Sequence, residues 1–206
     1  MVKALALGGV VAVLAAPVAV SAPAQAVEAG APAGVSIELA AVNGSGCPSS
    51  TGDATLSADG ESFTTIAPPF FAWAGEQAPA TYFRRNCQLS VSIVAPAGWT
   101  YAVTQVHSSG DSLLTAGTSG VSQVSIYFQG QSPTLRLTNT FTGPRIGPWQ
   151  TIDEVELADL AYAPCDAQRN LNINTELRAS SDGSGALAFL NRDPVTSYRL
   201  SWRRSA

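Results

Sequence analysis

The sequence predicts an all-β fold: an antiparallel β-sandwich, jelly-roll-like, with long loops. Three observations predict it. Apolar and polar residues alternate with period two in one run after another. Gly, Pro and Asp-Gly punctuation separates these runs at intervals of about 8–12 residues. No segment carries a long helical period. "TIDEVELADLAYA" (151–163) is the best helical candidate, since Val155, Leu157 and Leu160 share a helical face. It reads equally well as a strand followed by a turn.

The chain has 206 residues and opens on an export signal, residues 1–26. Lys3 supplies the positive charge, a small-residue apolar run follows, and Ala24-Gln25-Ala26 has the A-x-A form of a cleavage site. The apolar run is short for a membrane span and contains Pro17, so no membrane anchor is expected after processing. "VEAGAPAG" (27–34) reads as a flexible lead-in, and residues 35–204 as a single secreted domain.

Within that domain "VSIELAAV" (35–42) alternates at its start. "ESFTTIAP" follows the Asp59-Gly60 turn signal. "CQLSVSIVAP" sets Leu89, Val91 and Ile93 against Gln88, Ser90 and Ser92, and "GWTYAVTQVH" continues after Pro96. The three residues Pro96–Gly98 read as a hairpin connection between those two strands. "SQVSIYFQG" and "TLRLTNTFTG" read as further strands, separated by Gly130–Pro133. "RNLNINTELR" (169–178), "GALAFLN" and "TSYRLSWRR" close the series.

Lys3 is the only lysine, so the processed chain carries ten arginines against fifteen carboxylates. That balance excludes general nucleic-acid binding, which needs dense positive charge. It equally excludes docking on anionic lipid. Three cysteines, Cys47, Cys87 and Cys165, leave one over in an oxidising compartment. Three pairings are open. Cys47–Cys87 is favoured because each lies beside a strand-like run in the first half. It closes about 40 residues and is worth roughly 4 kcal/mol by chain entropy. Cys165 is then the unpaired thiol.

Catalytic constellations are scarce. His107, the only histidine, falls in "VHSSGDS", which reads as a solvated loop after a strand, and there is no G-x-S-x-G elbow. One histidine and three scattered cysteines have no metal-ligand spacing, and no phosphate loop is present. No metal and no cofactor are implied. Asp153, Glu154, Glu156 and Asp159 are the densest carboxylates, the raw material for paired-acid hydrolysis or for calcium, though their spacing matches no EF-hand. Asn43 begins an N-G-S acceptor pattern.

Two features point to binding. Trp99 and Trp202 are in phase with apolar neighbours and read as core, whereas Trp73 and Trp149 sit in loop-like contexts and are the candidate ligand surface. Asn170, Asn172 and Asn174 alternate with Leu171 and Ile173. Asparagine is depleted in strands, so three on one face are either a ligand-reading surface, a wet face, or a structural hydrogen-bonding row.

The order "NGSGCP", "RRNCQLSVSI", "PAGWTYAVTQV", "YFQGQ", "TFTGP", "APC", "LNINTELR" and "YRLSWRR" resembles a family of small secreted proteins of actinobacteria and filamentous fungi, a domain of unknown function numbered 4360. The resemblance covers Val35 to Arg204. It implies secretion, a β-rich domain and disulfides, and supplies no activity, catalytic residue or cofactor. The family pattern also implies a second bond, from Cys165 to a cysteine directly after the basic pair, where this chain has Ser205. A family segment of Asp-Tyr-x-Gly-Tyr type after Val106 is replaced here by "HSSGDS". The resulting expectation is an extracellular binding or surface-interaction protein without enzymatic chemistry, its partner a glycan or cell-wall material. The alternatives are a carboxylate-based hydrolase of extracellular polysaccharide and a structural envelope protein.

Overall fold

A computed structural model describes residues 30–48, 51–131, 134–165, 167–183 and 186–205. The export signal lies outside the described residues. Among the described residues, twelve strands and one short 3-10 turn, Leu157–Asp159, make up the regular structure. Five strands form one antiparallel sheet in the order β1 (Ser36–Asn43), β5 (Arg84–Val94), β10 (Leu171–Ser181), β7 (Thr118–Phe128), β8 (Leu135–Thr142). The second sheet holds β2 (Asp53–Leu56), β3 (Ser62–Ile66), β12 (Val195–Arg204), β6 (Trp99–Leu114), β11 (Ala188–Arg192) and β4 (Phe70–Ala74), with β9 (Arg145–Glu154) on the far edge of β6.

The sixteen residues of β6 organise that second sheet. One of its edges pairs with β9, and the other takes β12 along its first half and β11 along its last residues. β11 and β12 therefore run end to end, broken at Asp193-Pro194. β4 and β3 continue the arrangement outward.

The two sheets close on a core in which Leu171, Ile173, Leu177, Val91, Ala188 and Leu190 are completely buried. Phe63 stacks on Tyr198 at 4.6 Å between ring centroids. The Trp202 indole N–H donates to the carbonyl of Gly60 at 3.0 Å, tying β12 to the β2–β3 turn. That turn is the Asp59-Gly60 hairpin the sequence predicts, with Gly60 at φ 71° and Asp59 accepting from the Glu61 amide at 3.0 Å. Gly110 is required for packing: a Cβ there would lie 2.2 Å from the carbonyl oxygen of Asn191.

Cys47 and Cys87 form a disulfide, and both are buried. Arg192 is also buried, 3% exposed, at the end of β11. It donates to Ser108 (2.7 Å), Thr196 (3.0 Å) and Ser122 (3.3 Å). Ser122 belongs to the five-stranded sheet and the other two to its partner, so the guanidinium bolts the layers together. Burial holds its affinity for the proton below the usual arginine value.

The structure corrects three readings. Pro96–Gly98 is not a hairpin turn: β5 and β6 lie in different sheets, and this segment carries the chain from one layer to the other. "HSSGDS" is not a loop, because β6 runs through it to Leu114. "RIGPWQTIDE" is a strand despite its Gly and Pro. It pairs only with β6, and an edge strand tolerates a residue without an amide donor. "TIDEVELADLAYA" resolves as the end of β9 and the 3-10 turn rather than a helix.

Candidate functional site

Strand β10 sends Leu171, Ile173, Thr175, Leu177 and Ala179 into the core, all buried. Successive residues of a strand face opposite ways. Asn172, Asn174, Glu176 and Arg178 therefore line the outer face of the five-stranded sheet. Because β10 is the central strand, each of these residues has a neighbour on both sides. Ser90, Asn172 and Tyr127 share one row. The next is Gln88, Asn174, Ser125 and Arg136, and the next Asn86, Glu176, Gln123 and Thr138. Arg84 stands directly opposite Arg178.

Hydrogen bonds knit these rows. Asn86 donates its amide to Asn174 at 3.2 Å, Gln88 reaches the Tyr127 hydroxyl at 3.3 Å, and Gln123 donates to Ser125 at 3.1 Å. Asn170, just before the strand, donates to Ser90 at 3.0 Å. Like charges facing each other across a strand pair repel. Here the Glu176 carboxylate lies between them, accepting from Arg84 Nε at 2.7 Å and from Arg178 Nε. Its side chain is 4% exposed, whereas those of Arg84 and Arg178 are about half open. Glu176 raises the proton affinity of Arg84, through the hydrogen bond first and the charge second.

The result is an open groove of about 600 Å³ lined by Arg84, Gln123, Tyr127, Arg136, Asn174 and Arg178, among others, with Glu176 in its floor. Asn172, 8% exposed, has no side-chain hydrogen-bond partner among the described residues. Among the lining residues Tyr127 is the single aromatic ring and Glu176 the single carboxylate. The groove can offer amide, hydroxyl and guanidinium groups, already ordered by their neighbours, to a polar ligand.

The two tryptophans proposed from sequence do not meet. Trp149 is not a surface residue: it lies in β9, is 2% exposed, packs against Phe141 and donates its N–H to the Asn191 carbonyl at 3.2 Å. The flanking Gly and Pro hid the period that points it inward. Trp73 lies in β4, half-buried, on the outer face of the other sheet. There it is in register with Phe189, which meets Phe71 at 5.2 Å.

The acidic cluster also separates. Asp153 accepts twice from Asn139 at 2.9 Å, whereas Glu154, the next residue of the strand, faces outward and accepts from Gln105 at 3.3 Å. No group of three His, Cys, Asp or Glu side chains suited to a metal ion occurs among the described residues. His107 is exposed on the outer face of β6, in register with Ile152 and Ser197. Cys165 is a free, exposed thiol. Ser205 bonds its amide to the Gly98 carbonyl at 3.0 Å, and its buried hydroxyl has no partner among the described residues.

A second depression of about 400 Å³ lies by Glu61, Thr104, Gln105, Glu154 and Arg199. There Arg199, Gln105 and Glu154 share one row across β12, β6 and β9, and Gln105 donates to Glu154 at 3.3 Å.

The family model for the domain of unknown function DUF4360 matches residues 33–204. The chain belongs to that family. It is 31% identical over 157 residues to an "Uncharacterized secreted protein" of the fungus Arthroderma benhamiae. That match covers 76% of this chain and 64% of the relative's length. Among solved structures, the chain is similar to TmCBM61 in complex with β-1,4-galactotriose, at 13% identity and a TM-score of 0.28, covering 82% of this chain and 91% of that one. It is also similar to the enzymatically active domain of bacteriophage CBA120 tailspike protein 4, at 10% identity and a TM-score of 0.25, covering 84% and 20%. Scores this low transfer neither a site nor a function.

Proposed function

We propose that this DUF4360 member is an extracellular binding protein whose ligand is a hydroxyl-rich glycan, held in the groove on the outer face of the five-stranded sheet. The chain is a secreted β-sandwich: it opens on an export signal, and its fungal relative is named as a secreted protein. The observation that carries the reading is the groove's chemistry. A merely wetted sheet face leaves each polar side chain to water. Here amides and hydroxyls from β5, β10 and β7 are bonded sideways to one another, so their outward groups are fixed before a ligand arrives. Sugars present alternating donors and acceptors, which Asn, Gln, Tyr and Arg match. Tyr127 adds a ring face on which a pyranose can rest.

The hydrolase reading is weaker in this groove. Glycoside hydrolysis needs two carboxyl groups at fixed separation, and Glu176 has no carboxylate companion among the lining residues.

The test is retention of the processed protein on insoluble polysaccharides and isolated cell walls. We expect retention on at least one, weakened about tenfold or more by Asn174→Ala combined with Tyr127→Ala, a loss on the order of 1.4 kcal/mol. Retention on no material, or retention indifferent to the double substitution in a folded protein, would overturn the proposal.

A further inference from the structure

The groove carries three arginines, Arg84, Arg136 and Arg178, against one carboxylate, Glu176. The chain as a whole is acidic, with a formal net charge of −4. A local cationic surplus on an anionic protein is not average composition; it is charge placed on one face. Its distribution is specific. Glu176 is shared by Arg84 and Arg178, which fixes both guanidiniums and still leaves Arg178 with both Nη groups uncommitted among the described residues. Arg136 stands across the groove on the edge strand β8, exposed, with no hydrogen bond or ion pair among the described residues. Its row neighbours are Ser125 and, one strand further, Asn174. An unpaired guanidinium beside hydroxyl and amide groups is suited to a planar or tetrahedral oxyanion carried on a polyhydroxyl body.

We infer that the groove selects an acidic saccharide, with Arg136 and the free edge of Arg178 receiving a carboxylate or sulfate substituent while Asn174, Tyr127 and Gln123 hold the neighbouring hydroxyls. This rests on the glycan-binding reading above and gives it a ligand class. Glu176 has a positioning role: it keeps Arg84 and Arg178 from repelling each other and turns their remaining N–H groups outward.

Affinity electrophoresis of the processed protein separates the possibilities. The gels contain polygalacturonate for the carboxylate arm, dextran sulfate for the sulfate arm, and unmodified dextran and galactan as uncharged polymers. Retardation is expected in one acidic gel and not in its uncharged counterpart. Which acidic gel retards the protein identifies the substituent. Arg136→Gln should weaken that retardation about tenfold, the scale of one charge-assisted contact. Arg199→Gln, on the opposite sheet, should leave it unchanged, which excludes a diffuse charge effect. Both sites are exposed, so an unchanged melting temperature certifies each variant. Binding should also fall as salt rises from about 0.05 to 0.5 M, through screening. Retardation by uncharged polymers alone would overturn the acidic-ligand inference and leave the glycan-binding proposal standing. No retardation in any gel and no retention on any solid glycan would overturn both. Equal losses in Arg136→Gln and Arg199→Gln would also overturn the inference, since the attraction would then have no site.

Discussion

The two outer faces of this sandwich differ in kind. The five-stranded sheet presents Asn172, Asn174, Glu176 and Arg178 with polar partners on each flank. The other sheet presents, along one row, Ile146, Leu113, Phe189 and Trp73, with Phe71 one row away. Ile146 is 82% exposed and Phe71 37%. On the polar face the side chains bond to each other; along this stretch of the other face the rings of Phe71, Phe189 and Tyr82 cluster, and the polar pair Gln105–Glu154 lies further along β6. The contrast is why the proposed site lies on the polar face rather than at the exposed rings. Binding specificity for a polar ligand comes from groups fixed in place, and on this molecule those sit where aromatic residues are sparse.

Both faces stand on one core, so the widest break comes from the interior. Arg192→Ala removes the bolt between the layers and leaves the hydroxyls of Ser108, Ser122 and Thr196 without their donor. We expect a loss of about 3 kcal/mol, read by urea denaturation, from the unsatisfied groups plus the cavity. Arg192→Met, which restores volume without charge, should lose less. If both variants are neutral, the buried guanidinium does not hold the sheets together.

A smaller effect distinguishes the core from either face by pH. Burial pushes the phenols of Tyr101 and Tyr198 up. Folding then favours the neutral phenol. That contribution is complete below the unfolded-state value of 10.0 and is lost as pH rises above it. Stability should decline above that pH by up to about 1.4 kcal/mol per unit for each tyrosine. Tyr101→Phe should remove one share of this slope. It should also stabilise the neutral-pH protein by up to about 1 kcal/mol, because the Tyr101 hydroxyl is buried without a partner among the described residues. An unchanged alkaline slope would show that Tyr101 is wetter than its packing indicates.

The smallest effects belong to the apolar face and test the assignment of the groove. Ile146→Ser should change stability by no more than about 0.5 kcal/mol. Trp73→Ala should leave polysaccharide retention intact. Retention lost in Trp73→Ala but kept in the Asn174 and Tyr127 variant would move the binding site to the opposite sheet.

Sequence alone determined the fold class, since period-two alternation is a local property that each strand writes into its own residues. It also determined the polar side of β10 and of β5, and it favoured Cys47–Cys87, the disulfide the structure holds. It misread "RIGPWQTIDE" because Gly147 and Pro148 mask the alternation, and it missed "FFAWA" because both faces of β4 are apolar. Only the tertiary structure decided which polar strand faces lie side by side. Strand neighbours depend on long-range pairing, and β10 meets β5 and β7 from far away in the chain. For the same reason the sequence put Trp149 on a surface that packing buries. It also grouped Asp153 and Glu154 among the densest carboxylates, whereas one pleat turns them to opposite sides of a sheet. The row of asparagines was legible as a polar face; that Asn174 lines a groove with arginines on three strands was not.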